Sequence, residues 1–188
     1  MVLPVYVYGM SVLRREGEEI PENSDELQQL IKDMHETMRA SDGVGLAAPQ
    51  IGKSLRLFVV DASPMSENGK DPELKEFKKA FINPVILERS EDAESAEEGC
   101  LSIPGIREEV PRPSRIRIEY YDEDWTLREE EYKGTRARII QHEYDHLEGI
   151  LFIDRINPIR RKLISSSLKN ISRGKTNCDY QVIHPRKK

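Results

Sequence analysis

The order of patterned segments predicts an α+β fold: antiparallel or mixed β-sheets packed around a central helix bearing an HExxH motif, with one helix before the strands and another at the C-terminal end. Three observations carry this. Apolar residues recur at helical spacing between residues 24 and 41. Strand-length apolar or alternating runs follow through the middle of the chain. Two further helical patterns close it, and the first holds "QHEYDHLEG", Gln141 to Gly149.

Taken in order, Ser24 is placed to cap a helix, with Asp25 and Glu26 in the first turn, where acidic side chains favour the helix dipole. Leu27, Leu30, Ile31, Met34 and Met38 share a face, and the helix ends near Ser41-Asp42-Gly43. "LRLFVVDA" (Leu55 to Ala62) reads as a strand and "FINPVILE" as a second extended stretch. Between them, residues 63–79 are polar with two prolines and a glycine, which predicts an exposed excursion. "RIRIEYYD" alternates Ile116, Ile118 and Tyr120 with Arg117 and Glu119, as a half-buried strand does, and pairs with "TLREEEYK" through a turn at Asp122 to Trp125. A helix runs from about Arg136 to Glu148 and stops at Gly149. Asn157-Pro158 opens the last helix, Ile159, Leu163, Leu168 and Ile171 give it an apolar face, and Gly174 ends it. We assign residues 1–174 to a single domain and 175–188 to a basic C-terminal tail.

The 188 residues suffice for one domain with a core. No apolar run approaches the roughly 20 residues that span a bilayer, and the first residues lack a secretion pattern. Two cysteines, Cys100 and Cys178, without such a pattern point to thiols in a reducing compartment, so we expect a cytoplasmic protein. Net charge is -5, yet residues 155–188 carry ten Lys or Arg against Asp179 alone. That +9 end on an acidic body is suited to a polyanion, or is simply a solvated helix and tail.

On a helix, His142 and His146 share one face and can hold one ion, while Glu143 is near enough to act as base on a water there. A third ligand is needed. Position 152 is Phe rather than His, and no glutamate follows Glu148. Both facts count against an endoprotease. Asp154, His184 and the upstream Cys100 are the candidates. A thiolate suits zinc or ferrous iron, although a lone cysteine is as readily a small core residue. Cys178 has only that structural reading. A non-catalytic metal module would need a fourth protein ligand.

Three segments together, "GVGLAAPQ" (Gly43 to Gln50), "EGCLS" (Glu98 to Ser102) and "QHEYDHLEG", resemble the signature motifs of peptide deformylases, in that family's order, within a resemblance running from the first helix to the last. The resemblance implies an α+β, metal-dependent hydrolase that removes the formyl group from N-formylmethionyl peptides and nascent chains. It implies one divalent ion, Fe2+ in the native bacterial enzyme and replaceable by Zn2+, Ni2+ or Co2+, on Cys100, His142 and His146. By the same resemblance Glu143 is the base, and Gln50 and the Leu101 N–H form an oxyanion hole. Gly45 and Gly99 lie along the substrate backbone, Arg107 near the peptide path, and Val44 and Ile139 at the methionine side chain. Arg136 and Arg138 stand where several members are more apolar. Because nascent chains emerge beside RNA phosphate, the basic end is expected to dock on the ribosome, with Ile159, Leu163 and Leu168 packed inward and Arg160, Arg161, Lys162, Lys169, Arg173 and Lys175 outward. No membrane or DNA partner is expected.

Overall fold

The computed structural model describes residues 1–68 and 72–186. The predicted α+β class with antiparallel sheets holds. Its centre is a five-stranded antiparallel sheet in the order β2-β3-β4-β7-β8, with β2 Gly45–Ala47, β3 Leu57–Asp61, β4 Lys78–Arg89, β7 Arg115–Tyr121 and β8 Leu127–Lys133. A long hairpin, β5 Ala93–Cys100 and β6 Ile103–Pro113, stands apart from it. A two-residue parallel ribbon joins β1 Val5–Tyr6 to β9 Val182–Ile183.

Helix α1, Asp25–Ala40, starts where the cap was expected, since Ser24 Oγ accepts the Leu27 N–H at 3.2 Å. Its face of Leu27, Ile31, Met34 and Met38 covers one side of the sheet, against Leu57, Val59, Ala80 and Ile82. Helix α2, Gly134–Leu147, covers the other side, where Ala137, Ile140 and Leu147 meet Phe58, Val60, Ile116 and Ile118. The alternation along β3 explains the division: successive side chains leave opposite faces, so a strand buried on both reads as continuously apolar. A third cluster joins Val7, Leu13, Ile103, Val110 and Phe152 to Leu168 and Ile171. The α2 backbone stops at Gly149, whose φ is +67°, and a Cβ there would come within 2.8 Å of the Arg14 carbonyl.

Two expectations need correction. The 63–79 segment is only partly exposed: it forms short 3-10 turns at Ser63–Asn68 and Pro72–Leu74, and Leu74 and Phe77 are buried in the main core. Its residues 69–71 lie outside the described residues, as do Lys187 and Lys188 of the tail. The last helix is two pieces, α3 Pro158–Leu163 and α4 Ser165–Ser172, joined through Ile164. Leu168 and Ile171 pack inward, but Ile159 and Leu163 are 71% and 66% exposed. The arginines of α3 take the inward side instead. Arg160 reaches back to buried Glu108 at 2.8 and 2.9 Å and Arg161 to Asp154 at 3.0 Å, so the basic side of α3 faces the body.

Candidate metal centre

Helix α2 presents His142 and His146 one turn apart, and the end of β5 brings Cys100 to them. One donor atom from each of these three lies within 4.8 Å of the others, with Cys100 Sγ 3.4 Å from His146 Nε2. His142 Nδ1 donates to Glu98 Oε2 at 2.9 Å, leaving Nε2 for the cluster. Asp154 and His184 are elsewhere: Asp154 accepts from Arg14 and Arg161, and His184 packs at Gly174.

Glu143 is buried beside the cluster. Its Oε2 has no hydrogen-bond partner among the described residues, and Gly45 is the residue that makes room for it, since a Cβ there would sit 2.3 Å from Glu143 Oε1. Desolvation dominates and pushes the Glu143 pKa up to about 7. Burial works against charge on both imidazoles. For His142 the hydrogen bonds to Cys100 and Glu98 outweigh it and hold the pKa well above the ordinary histidine value. For His146 burial and the charge of His142 act together and push it well below. The donor set therefore fits a divalent ion: a thiol, two imidazoles, one of them oriented by a carboxylate, and a buried carboxylate oxygen turned to the same space.

Gln50 serves two neighbours. Its Oε1 accepts the Ala47 N–H at 2.8 Å, which fixes the amide so that Nε2 points to Ser102 Oγ at 3.2 Å and Cys100 Sγ at 3.4 Å. A cleft of about 550 Å³ opens onto the cluster. Val44, Gly45, Ile139, Glu143, Gly99, Leu101, Ile106 and Arg107 are among the residues that line it. Arg107 is exposed and donates to Glu97 at 2.6 Å. Arg138 also lines the cleft and donates to Glu98 and to the Val110 carbonyl, while Arg136 pairs with Glu73 on the surface.

Behind the cluster is a charged network that motif reading missed. Arg112, 2% exposed, donates to Glu98 at 2.6 and 2.9 Å and to Asp145 at 2.8 Å, and Arg155 holds Asp145 from the far side. Burial alone would raise the Glu98 pKa, but the hydrogen bonds from His142 and Arg112 and their charges hold it well below the carboxylate range. Glu98 lies inside the "EGCLS" segment, but its exposed, glutamate-rich strand carries no apolar alternation to show where it points. Cys178, read as structural only, lines the cleft with Asn177 and Tyr180.

The family model described as "Polypeptide deformylase" matches residues 2–162. The chain is 48% identical over 187 residues to a peptide deformylase of Flavobacterium psychrophilum, covering 97% of this chain and 96% of that one. It is 44% identical over 193 residues to one of Christiangramia forsetii, covering 100% and 98%. A crystal structure of peptide deformylase from Plasmodium falciparum superposes with a TM-score of 0.81 at 37% identity, over 90% of this chain and 95% of that chain.

Proposed function

This chain belongs to the polypeptide deformylase family and is a metal-dependent hydrolase that removes the N-formyl group from nascent polypeptides; from that premise we propose that Cys100, His142 and His146 hold the ion and that Glu143 is the general base. The observation that carries the assignment is the convergence of three donor atoms within 4.8 Å beside a buried carboxylate with an unpaired oxygen. HExxH helix α2 is then the metal-binding element around which the sheets are arranged.

A divalent ion held there supplies Lewis acidity, lowering the pKa of a water nucleophile and opposing charge that develops on the formyl oxygen. The chain does the rest. The β2 edge, at Gly45, pairs with the peptide backbone, because a strand at the end of a sheet has hydrogen-bonding groups to offer. Val44 and Ile139 enclose the methionine side chain, Gly99 allows the backbone close approach, and Arg107 stands at the mouth. Glu143, buried beside the proposed ligands with one oxygen unpaired, takes the proton of the attacking water and returns it to the leaving amine. Gln50 Nε2 and the Leu101 N–H donate to the developing oxyanion, each such donor typically contributing about 3 kcal/mol. The products are formate and a free α-amino group.

The family resemblance is what points to Fe2+ as the native ion; thiolate plus imidazole suits iron and zinc alike, so Zn2+, Ni2+ or Co2+ can substitute. Formate release from a formyl-Met dipeptide, with metal content measured in parallel, tests the whole. Cys100→Ala should lose both metal affinity and turnover. Unchanged affinity removes Cys100 from the ligand set. Cleavage of internal peptide bonds would instead favour an endoprotease, and tight metal without turnover a binding module.

The basic C-terminal region is the proposed contact with ribosomal RNA. Exposed Lys162, Lys169, Arg173 and Lys175 are the residues to reverse, because Arg160 and Arg161 are engaged with the body. Co-sedimentation with ribosomes should weaken steeply with salt and with this reversal. Binding indifferent to both would leave the region a solvated end.

A further inference from the structure

The turn that joins β5 to β6 is two residues long, Leu101 and Ser102, between the paired Cys100 and Ile103. Three separate elements hold it. The Tyr8 N–H donates to the Ser102 carbonyl at 2.8 Å. Gln50 Nε2 donates to Ser102 Oγ at 3.2 Å. The Tyr180 hydroxyl donates to the Leu101 carbonyl at 2.8 Å. The first and third of these come from segments that are themselves joined, because the Val5 N–H donates to the Gln181 carbonyl and the Val7 N–H to the Ile183 carbonyl, both at 2.9 Å. The β1–β9 ribbon thus grips the turn with one backbone and one side-chain hydrogen bond. Tyr180 lies beyond the residues that the family model matches, which end at 162.

We infer that Tyr180 is a positioning residue for deformylation, through which the β1–β9 ribbon sets the direction of the Leu101 N–H. The Tyr180 bond fixes the peptide plane between Leu101 and Ser102. The donor N–H lies in the adjacent plane, between Cys100 and Leu101, and the two planes are linked only by the Leu101 backbone dihedrals. Without the Tyr180 anchor the turn gains rotational freedom at the residue whose N–H must meet an oxyanion. Preorganisation of that donor matters in the transition state and little in the bound substrate, so its loss falls on kcat and leaves KM alone. The inference rests on the assignment of the Leu101 N–H to the oxyanion.

The test is Tyr180→Phe in the full-length zinc-loaded enzyme, which removes the hydroxyl and keeps the ring. Expected is a fall in kcat of about fivefold to tenfold on a formyl-Met dipeptide, the scale of one lost hydrogen bond, with KM within about twofold of wild type. Amide hydrogen exchange at Leu101 and Ser102 should accelerate, while the Val5 and Val7 amides, which report the ribbon itself, stay protected. Unchanged kcat overturns the inference. So does a fall in kcat with unaltered exchange at Leu101 and Ser102, or one in which Val5 and Val7 lose protection as well, since the tyrosine then serves only to hold the ribbon. If wild type itself releases no formate, it is the assignment of the site that falls.

Discussion

Helix α2 turns polar side chains inward, and helix α3 turns apolar ones outward. On α2, Gln141, Glu143, Asp145 and His146 are all buried, yet on α3 Ile159 and Leu163 are open to solvent. An amphipathic pattern therefore tells which residues share a face, and partners from elsewhere in the chain decide which face is covered. On α2 Asp145 meets Arg112 and Arg155, and Arg112 meets Glu98, which in turn holds His142, so charge is buried because each group has a counterpart. On α3 Arg160 and Arg161 meet Glu108 and Asp154, and the apolar side faces out. That orientation forgoes roughly 1.5–3 kcal/mol of burial for each of the two exposed side chains.

The largest effect should come from the one inward group on α2 that is left with an unpaired oxygen. Glu143→Gln keeps all three proposed ligands and should lower kcat by about 10²–10⁴-fold, with metal content unchanged. Formate release normalised to bound metal checks it, and near-normal turnover would contradict the proposed base. Next is Arg112→Met, which takes the shared partner from two buried carboxylates, leaving Glu98 to His142 and Arg138 and Asp145 to Arg155, and should cost about 1–3 kcal/mol in urea unfolding of the zinc-loaded enzyme. A cost no greater than that of removing a surface arginine would mean the network is not what permits the inward polarity.

A third test uses pH. The Glu98 carboxyl titrates well below its ordinary value of 4.5 in the folded state. Its contribution to stability is therefore full above about pH 4.5 and is lost as pH falls toward the folded pKa, because the unfolded chain takes up the proton first. Glu98→Gln should accordingly be less stable than wild type at neutral pH, and the gap should close on acidification below about pH 4.5. It should also weaken metal binding by about tenfold, since the imidazole loses its carboxylate partner. A gap that stays constant across the acid range would show that Glu98 does not carry the linkage. The smallest effect belongs to α3: the double variant Ile159→Ser, Leu163→Ser should shift the unfolding free energy by less than about 0.5 kcal/mol. A loss of core size in that experiment would mean that these side chains are covered after all.

The local features were legible in the sequence. The Ser24 cap, the β7–β8 hairpin, the histidine spacing and the stop at Gly149 each depend on residues within a few positions of one another. What was not legible depends on distant pairing. The β5–β6 hairpin is the clearest case: its first strand, "AESAEEGC", is mostly exposed and rich in glutamate, so no apolar alternation announces it. With that hairpin unseen, nothing linked Glu98 to Arg112 or to Asp145. The orientation of α3 failed for a related reason, since its arginines answer to Glu108 on β6 and to Asp154. Tyr180 could be tied to Leu101 only once β1 and β9, at opposite ends of the chain, were seen to pair.

Strand β2 is three residues long and forms one margin of the five-stranded sheet, with Gly45 set against Glu143. An uncovered margin of a sheet is ordinarily a hazard, a template on which another chain's strand can nucleate aggregation. Here its brevity offers any intruder only a few hydrogen bonds. On the reading proposed above, this short margin grips the first residues of a passing polypeptide by their backbone alone. Such a grip is indifferent to side chains, as suits an enzyme whose clients share a first residue and nothing else.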